Sequence, residues 1–197
     1  MHKLALALLL LFAQHSLAYE ITQDHIQIND TGYQIDLIAT VNIPQAILFN
    51  YISDFKRIKT FNPNIIDSQI VNQTSTNQYR VYTEIEGCLF FFCQQIQHTQ
   101  DITLTPPNYI IAHTVADNSS YKEGITEWTL SAIDENTSQL QLTSNLQPDF
   151  WSPPLLGDYL IQNEILSNFE YTLELLENYY SPPTLNNNDF FDEDDDF

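Results

Sequence analysis

The stretch from Pro153 to Tyr180 constrains the fold most, because it reads as one long amphipathic helix. Its large apolar residues recur at steps of three and four, which places them along one face of about seven helical turns. They are Leu155, Tyr159, Leu166, Phe169, Leu173, Leu176 and Tyr180. Pro153-Pro154 suits the first turn, and Ser181-Pro182-Pro183 ends the helix. Its acidic residues, Glu164 and Glu177 among them, fall largely on other faces and are expected in solvent. The apolar face predicts that this helix packs against another layer.

The chain before this helix is predicted to form strands. Apolar and polar residues alternate from Tyr33 to Ile43, which is typical of a strand with one buried face. Pro44 ends it, and two short helices are predicted over 45–52 and 54–61. Turn-forming segments then separate six further strands, namely Ile65–Val71, Tyr79–Glu86, Cys93–Leu104, Tyr109–Ala116, Glu123–Ile133 and Gln139–Leu146. Short loops between them predict an antiparallel meander. The fold class is therefore α+β: a curved antiparallel sheet of about six to seven strands around a C-terminal helix.

Four local motifs accompany this order of elements. They are Ala39-x-Val41-x-Ile43-Pro44 leading into Phe49-x-x-x-Ser53-Asp54, Thr105-Pro106-Pro107-Asn108-Tyr109, Gly124-x-x-x-Trp128-x-Leu130, and Pro153-Pro154-Leu155-Leu156-Gly157. Together the order and the motifs resemble the helix-grip superfamily, which includes START lipid-transfer domains, birch-pollen-type allergens, and polyketide cyclase/dehydrase-like and coenzyme Q-binding proteins. The resemblance covers residues 31–180. The segment 88–93, the N-terminal segment and the acidic tail depart from it and indicate a secreted branch.

The resemblance implies a cavity between sheet and helix that takes a small hydrophobic or lipid-like molecule. Side-chain parity along the strands and the helix face nominates its lining: Tyr79, Val81, Thr83, Ile85, Trp128, Leu130, Tyr159, Gln162, Leu166 and Phe169. Each of these could equally fill a core, but polar members such as Thr83, Ser144 and Gln162 are unusual in a sealed one. Gln162 either bonds to the sheet or meets ligand or water, and the sequence leaves both open.

Candidates for catalysis are few. His98 and His113 lie on predicted strands that are possible neighbours, and each is more commonly a structural histidine than a catalytic one. No Gly-x-Ser-x-Gly elbow or glycine-rich phosphate loop is present. Neither a metal site nor a cofactor is predicted. Ligand binding without chemistry is the leading hypothesis. The alternatives are a cyclase/dehydratase-like enzyme that uses His98 or His113, and a non-catalytic interaction module.

The N-terminus has the pattern of a signal peptide. Only apolar residues occupy Leu4 to Ala13, and Ser16-x-Ala18 matches a small-residue cleavage site. We therefore expect residues 1–18 to be a signal peptide, cleaved near Ala18, and the protein to be secreted or periplasmic. This division leaves residues 19–180 as a single ligand-binding domain. Residues 181–197 hold six acids without helical or strand periodicity and are expected to be a disordered acidic tail.

The two cysteines and the overall charge limit the partners. Cys88 and Cys93 are predicted to form a disulfide in an oxidising compartment. In a straight strand their Cα atoms would lie about 16 Å apart, so a hairpin must turn between them. Its tip, Leu89, Phe90, Phe91 and Phe92, is either tucked under a neighbour or docks to membrane or protein. A net charge of −20 argues against nucleic acid. The basic cluster Lys56, Arg57 and Lys59 is either a solvated helix face or a site for an acidic group.

Overall fold

The computed structural model describes residues 19–29, 31–89, 92–150 and 157–180. Several predictions concern residues outside these ranges and stay predictions. They are the signal peptide over 1–18, the centre of the hairpin tip at residues 90 and 91, the proline start of the long helix, and the acidic tail over 181–197. None of the helices in the described ranges is long and apolar enough to cross a membrane.

The described chain forms an eight-stranded antiparallel sheet and three helices. The strands are β1 (Tyr19–Asn29), β2 (Gly32–Val41), β3 (Ile65–Ser75), β4 (Gln78–Leu89), β5 (Phe92–Thr105), β6 (Tyr109–Val115), β7 (Tyr121–Ala132) and β8 (Ser138–Pro148). The helices are α1 (Gln45–Ile52), α2 (Ile58–Phe61) and α3 (Gly157–Tyr180). The sheet order is β1-β2-β8-β7-β6-β5-β4-β3, so β2 and β8 alone pair across a long stretch of sequence. The α+β prediction and the antiparallel meander are correct.

Strand β1 was not among the predicted strands, so the predicted six to seven strands become eight. The physical reason is a bulge: the pairing of β1 with β2 shifts register between Ile21 and Gln23. A bulge inserts one residue and reverses which side chains face inward. Ile21 on one side of the bulge and Ile26 and Ile28 on the other therefore differ in parity, and no alternating run is visible in the sequence. The second short helix is also shorter than predicted, because turns occupy residues 55–57.

Strand β2 confirms the alternation read from the sequence. Its inward side chains are buried, and they are Tyr33, Ile35, Leu37, Ala39 and Val41. Pro44 then precedes α1, which buries Leu48 and Phe49 against the same core. Since β2 lies between β1 and β8 near the middle of the core, its five inward residues anchor the packing of the N-terminal half.

Helix α3 lies on the inward face of the sheet and contacts β1, β4 and α2. Its buried apolar residues are Phe169, Leu173 and Leu176, all from the predicted face. Glu177 was expected in solvent, but it is buried, and its carboxylate accepts a hydrogen bond of 2.6 Å from the backbone N–H of Asn42. The carboxylate therefore holds the end of α3 to the segment that follows β2. Burial raises the pKa of Glu177, while the bond from Asn42 opposes that shift.

Candidate functional site

A cavity of about 460 Å³ lies between the inward face of the sheet and α3. Residues from β2 and from β4 through β8 line it, and α3 and the α1–α2 segment cover it. Because so many strands face one space, the sheet must curve around the helix. Most of the lining side chains are aliphatic or aromatic, for example Ile35, Ile96, Ile102 and Ile165. A large apolar cavity with a few polar groups is the usual form of a small-molecule site.

The predicted ligand-binding residues divide evenly between the lining and its surroundings. Those that line the cavity are Val81, Thr83, Ile85, Trp128 and Phe169. Those that lie outside its lining are Tyr79, Leu130, Tyr159, Gln162 and Leu166. Tyr79 has the predicted strand parity, but its ring packs edge-on against Phe55 and its hydroxyl donates to the Thr76 carbonyl. Leu130 is part of the closed core.

The helix residues were predicted one position out of phase in the first half of α3. Tyr159 is 71% exposed, and the lining side chains there are Ile161, Glu164 and Ile165. Periodicity selected the face of α3 with the most large apolar residues, whereas the face that lines the cavity carries both apolar and polar residues. Gln162 is not part of the cavity lining, and both alternatives for its role stay predictions.

The sequence analysis placed Glu164 in solvent and did not select Asn168 or Thr172. All three line the cavity. Asn168 accepts a hydrogen bond from the Asn64 amide and donates to the Glu164 carboxylate at 2.9 Å. The Thr172 hydroxyl donates to the Asn168 carbonyl at 2.7 Å. A spacing of four places these polar residues on consecutive turns, and that was the signal in the sequence. They form a polar stripe on α3 that faces Asn64, the residue directly before β3.

The two candidate histidines have different locations. His98 on β5 lines the cavity and is 6% exposed, while His113 on β6 is exposed to solvent. The strands are neighbours, as predicted, and Asp101 is the residue that pairs with His113. The Nε2 atom of His98 lies 2.9 Å from the hydroxyl oxygen of Thr114. Burial lowers the pKa of the His98 imidazole to about 4, so the ring is neutral at neutral pH.

Tyr121 on β7 is a cavity residue that sequence reasoning did not select. It is 7% exposed, and its ring lies 4.6 Å from that of His98. Burial, with a smaller contribution from Tyr33, raises the pKa of its hydroxyl, which stays protonated. A register shift between Tyr121 and Glu123 hid its inward direction from a parity argument. Two further hydroxyls on the cavity wall, those of Thr126 and Ser144, are 2.7 Å apart and satisfy each other.

The predicted disulfide joins Cys88 and Cys93, and their Cα atoms are 4.0 Å apart. The two residues face each other directly in the β4–β5 register, so the chain turns between them as predicted. Cys88 is also part of the cavity lining. The bond therefore fixes the end of the hairpin that borders the cavity.

Every lysine and arginine of the described residues is exposed, and none lines the cavity. Within the basic cluster, Arg57 pairs with Asp54 at 2.6 Å and reaches the hydroxyl of Tyr179. These contacts agree with the solvated-face alternative for the cluster. The acidic residues Glu86 and Glu164 are part of the cavity lining instead. The described residues contain no cluster of three or more histidine, cysteine, aspartate or glutamate side chains able to hold a metal ion.

Comparison with known proteins gives the fold. No family model matches the sequence, and no curated protein does. Among solved structures, the Zhui aromatase/cyclase from a Streptomyces species is similar with a TM-score of 0.60 at 13% identity, covering 80% of this chain and 94% of its own. A START superfamily protein from Mycobacterium smegmatis is similar with a TM-score of 0.58 at 14% identity, covering 75% and 97%.

A STAR-related lipid transfer protein from Xanthomonas axonopodis is also similar, with a TM-score of 0.58 at 10% identity. The match covers 81% of this chain and 98% of that one. These identities are low, so the likeness concerns the fold rather than the activity. It agrees with the resemblance read from the order of elements. The chain has the helix-grip fold of the START-related and aromatase/cyclase proteins.

Proposed function

We propose that the protein binds a small hydrophobic or lipid-like molecule in the cavity between the sheet and α3. The observation that carries the proposal is the 460 Å³ apolar cavity itself. A compact domain normally fills its interior to the density of an organic crystal, and voids larger than a water are few. An apolar space of this size leaves side chains without packing partners, which a bound apolar molecule would supply. Similar structures include one named as a lipid transfer protein, which supports this class of ligand.

The test compares two substitutions at neighbouring positions of β5. Ile96 faces the cavity, and Gln95 is exposed on the opposite face of the same strand. The Ile96→Trp variant places an indole in the cavity, and Gln95→Trp places the same group in solvent. We expect Ile96→Trp to abolish displacement of a neutral environment-sensitive dye by apolar molecules, and Gln95→Trp to leave it unchanged. Native mass spectrometry of the purified protein gives a second readout. Equal binding by both variants would refute the proposal.

Acid–base catalysis on a bound molecule is a second candidate, because His98 faces the cavity beside Tyr121. Its neutral imidazole has one nitrogen that can accept a proton and one that carries a proton, and the tautomer decides which of them faces Thr114. A similar structure is named as an aromatase/cyclase. Incubating the protein with a synthetic poly-β-ketone and measuring the absorbance of aromatic product tests it. Loss of product with His98→Gln, but not with His113→Gln, is the expected result; equal product without protein would remove this candidate.

We further propose that residues 1–18 direct export and are removed near Ala18. The uninterrupted apolar run from Leu4 to Ala13 supports this proposal, and so does the Cys88–Cys93 disulfide, since such bonds persist in oxidising compartments. The intact mass of the protein recovered from producing cells measures the cleavage. A mature N-terminus at or near Tyr19 is expected, and a protein that keeps residues 1–18 would contradict it.

A further inference from the structure

The hydroxyl of Tyr121 has no hydrogen-bond partner among the described residues, although the side chain is only 7% exposed. The aliphatic hydroxyls of the lining are satisfied: Thr126 pairs with Ser144, and Thr83 donates to the His98 carbonyl. No side-chain nitrogen or oxygen of the described residues is both sealed from solvent and unpartnered, so the Tyr121 hydroxyl is not sealed. Tyr121 lines the cavity, and we take its hydroxyl to face that space.

A second phenol lines the same cavity. Tyr33 on β2 is 8% exposed and has no hydrogen-bond partner for its hydroxyl among the described residues. Tyr33 also makes a contribution, smaller than that of burial, to the raised pKa of Tyr121. Burial, with help from the nearby Asp158, likewise raises the pKa of Tyr33, so both phenols keep their protons. Two phenol donors thus line one mainly apolar space, and an acceptor bound there would give them hydrogen-bond partners.

The electrostatics of the cavity exclude one kind of occupant. Its described lining contains no lysine or arginine, its one histidine is neutral, and two acidic residues, Glu86 and Glu164, are part of it. An anionic headgroup placed there would lose its hydration without meeting a positive charge, which is among the most costly arrangements in a protein. A neutral oxygen, in contrast, would accept the proton of a phenol and satisfy it.

Resting on the proposed function, we infer that the cavity selects an uncharged, mainly apolar molecule whose carbonyl or ether-type oxygen accepts a hydrogen bond from Tyr121. Free fatty acids and phosphate-bearing lipids are excluded from the same space. Tyr33 supplies a second donor to the same oxygen or to a neighbouring one. Selectivity therefore comes from two phenols and from the absence of a cation among the described lining residues.

The experiment uses three twelve-carbon probes that differ only at one end: the alkane, the fatty-acid methyl ester, and the fatty acid at pH 8. Each displaces a neutral environment-sensitive dye from the full chain, below its micelle concentration. A salt concentration of 0.5 M reduces the Debye length to about 4 Å, which removes the long-range repulsion between an anionic protein and an anionic probe. We expect the ester to bind at least tenfold more tightly than the carboxylate.

Variants then assign the selectivity to the phenol. Tyr121→Phe keeps the ring against His98 and removes only the hydroxyl, so the ester should bind about fivefold to tenfold more weakly, as for one lost hydrogen bond. The alkane should bind unchanged. Tyr171→Phe, on the exposed side of α3, is the matched control and should alter neither affinity. An unchanged ester-to-alkane ratio in a folded Tyr121→Phe variant would overturn the inference.

A spectroscopic measurement tests the hydrogen bond if the Tyr121→Phe variant does not fold. It records the carbonyl stretching frequency of an isotope-labelled ester bound to the unaltered protein. A shift to lower frequency on binding supports the hydrogen bond, and the frequency found in alkane solvent overturns it. The probes also separate the two proposals: binding of all three probes with equal affinity refutes only the neutral-oxygen selectivity, whereas binding of none refutes the proposed function as well.

Discussion

Replacing His98 should remove a defined part of the protein's sensitivity to acid. Burial lowers the pKa of this imidazole from 6.5 to about 4 in the folded protein. In the unfolded chain the ring regains its ordinary pKa, so between these two values the unfolded state binds more protons than the folded state. Stability is therefore lost as the pH falls through this window. At 1.36 kcal/mol for each pKa unit, the loss between pH 7 and pH 4 is about 3 kcal/mol.

The assay is urea unfolding at several pH values from 7 to 4, followed by tryptophan fluorescence. The glutamine in His98→Gln cannot be protonated. Between pH 7 and pH 4 we therefore expect the free energy of unfolding of this variant to fall by about 3 kcal/mol less than that of the unaltered protein. Any constant cost of the substitution at pH 7 cancels in this comparison. His113→Gln is the matched control, because it makes the same substitution at an exposed position of the neighbouring strand. Parallel profiles for His98→Gln and the unaltered protein would refute the reasoning.

Three other perturbations have expected outcomes that chemical denaturation measures. Gly32→Ala should cost more than about 2 kcal/mol, because φ is +143° and a Cβ would overlap a carbonyl oxygen of β8. Gly87→Ala is the control and should cost much less, because its Cβ would lie in ordinary van der Waals contact, 3.8 Å from the Ile96 side chain. Replacing Cys88 and Cys93 by serine should cost about 2 kcal/mol in the chain-entropy account of a short loop, and added reductant should not destabilise this variant further. Glu177→Gln should raise stability at pH 7, because burial raises the pKa of Glu177 in the folded protein and so disfavours its charged form. The gain should vanish at low pH, where the protonated Glu177 and the glutamine that replaces it are both neutral. A gain that persists in acid would contradict the last of these.

Unbroken alternation made a strand easiest to predict, although β3 was also predicted despite shifts of register in its pairing with β4. Strand β2 is the clearest case, since its buried side chains occupy every second position from Tyr33 to Val41. The disulfide was expected from the oxidising compartment inferred for the chain, and the spacing of its cysteines then required a hairpin between them. Two omissions in the sheet share one physical cause, a bulge that adds a residue and reverses the inward face. It hid β1 at Ile21–Gln23 and concealed Tyr121 at the start of β7.

The α3 face was misread for a different reason, and that reason bears on function. Periodicity assumes that the face with the most large apolar side chains is the one that packs inward. This holds in the C-terminal half, where Phe169, Leu173 and Leu176 fill the core. In the N-terminal half Glu164 lines the cavity while Tyr159 is exposed. A helix face selected only for packing would not turn a carboxylate inward and leave a tyrosine outside. The departure from the rule lies on a helix that lines the cavity from Ile161 to Leu176, and a ligand rather than a side chain would complete the packing there.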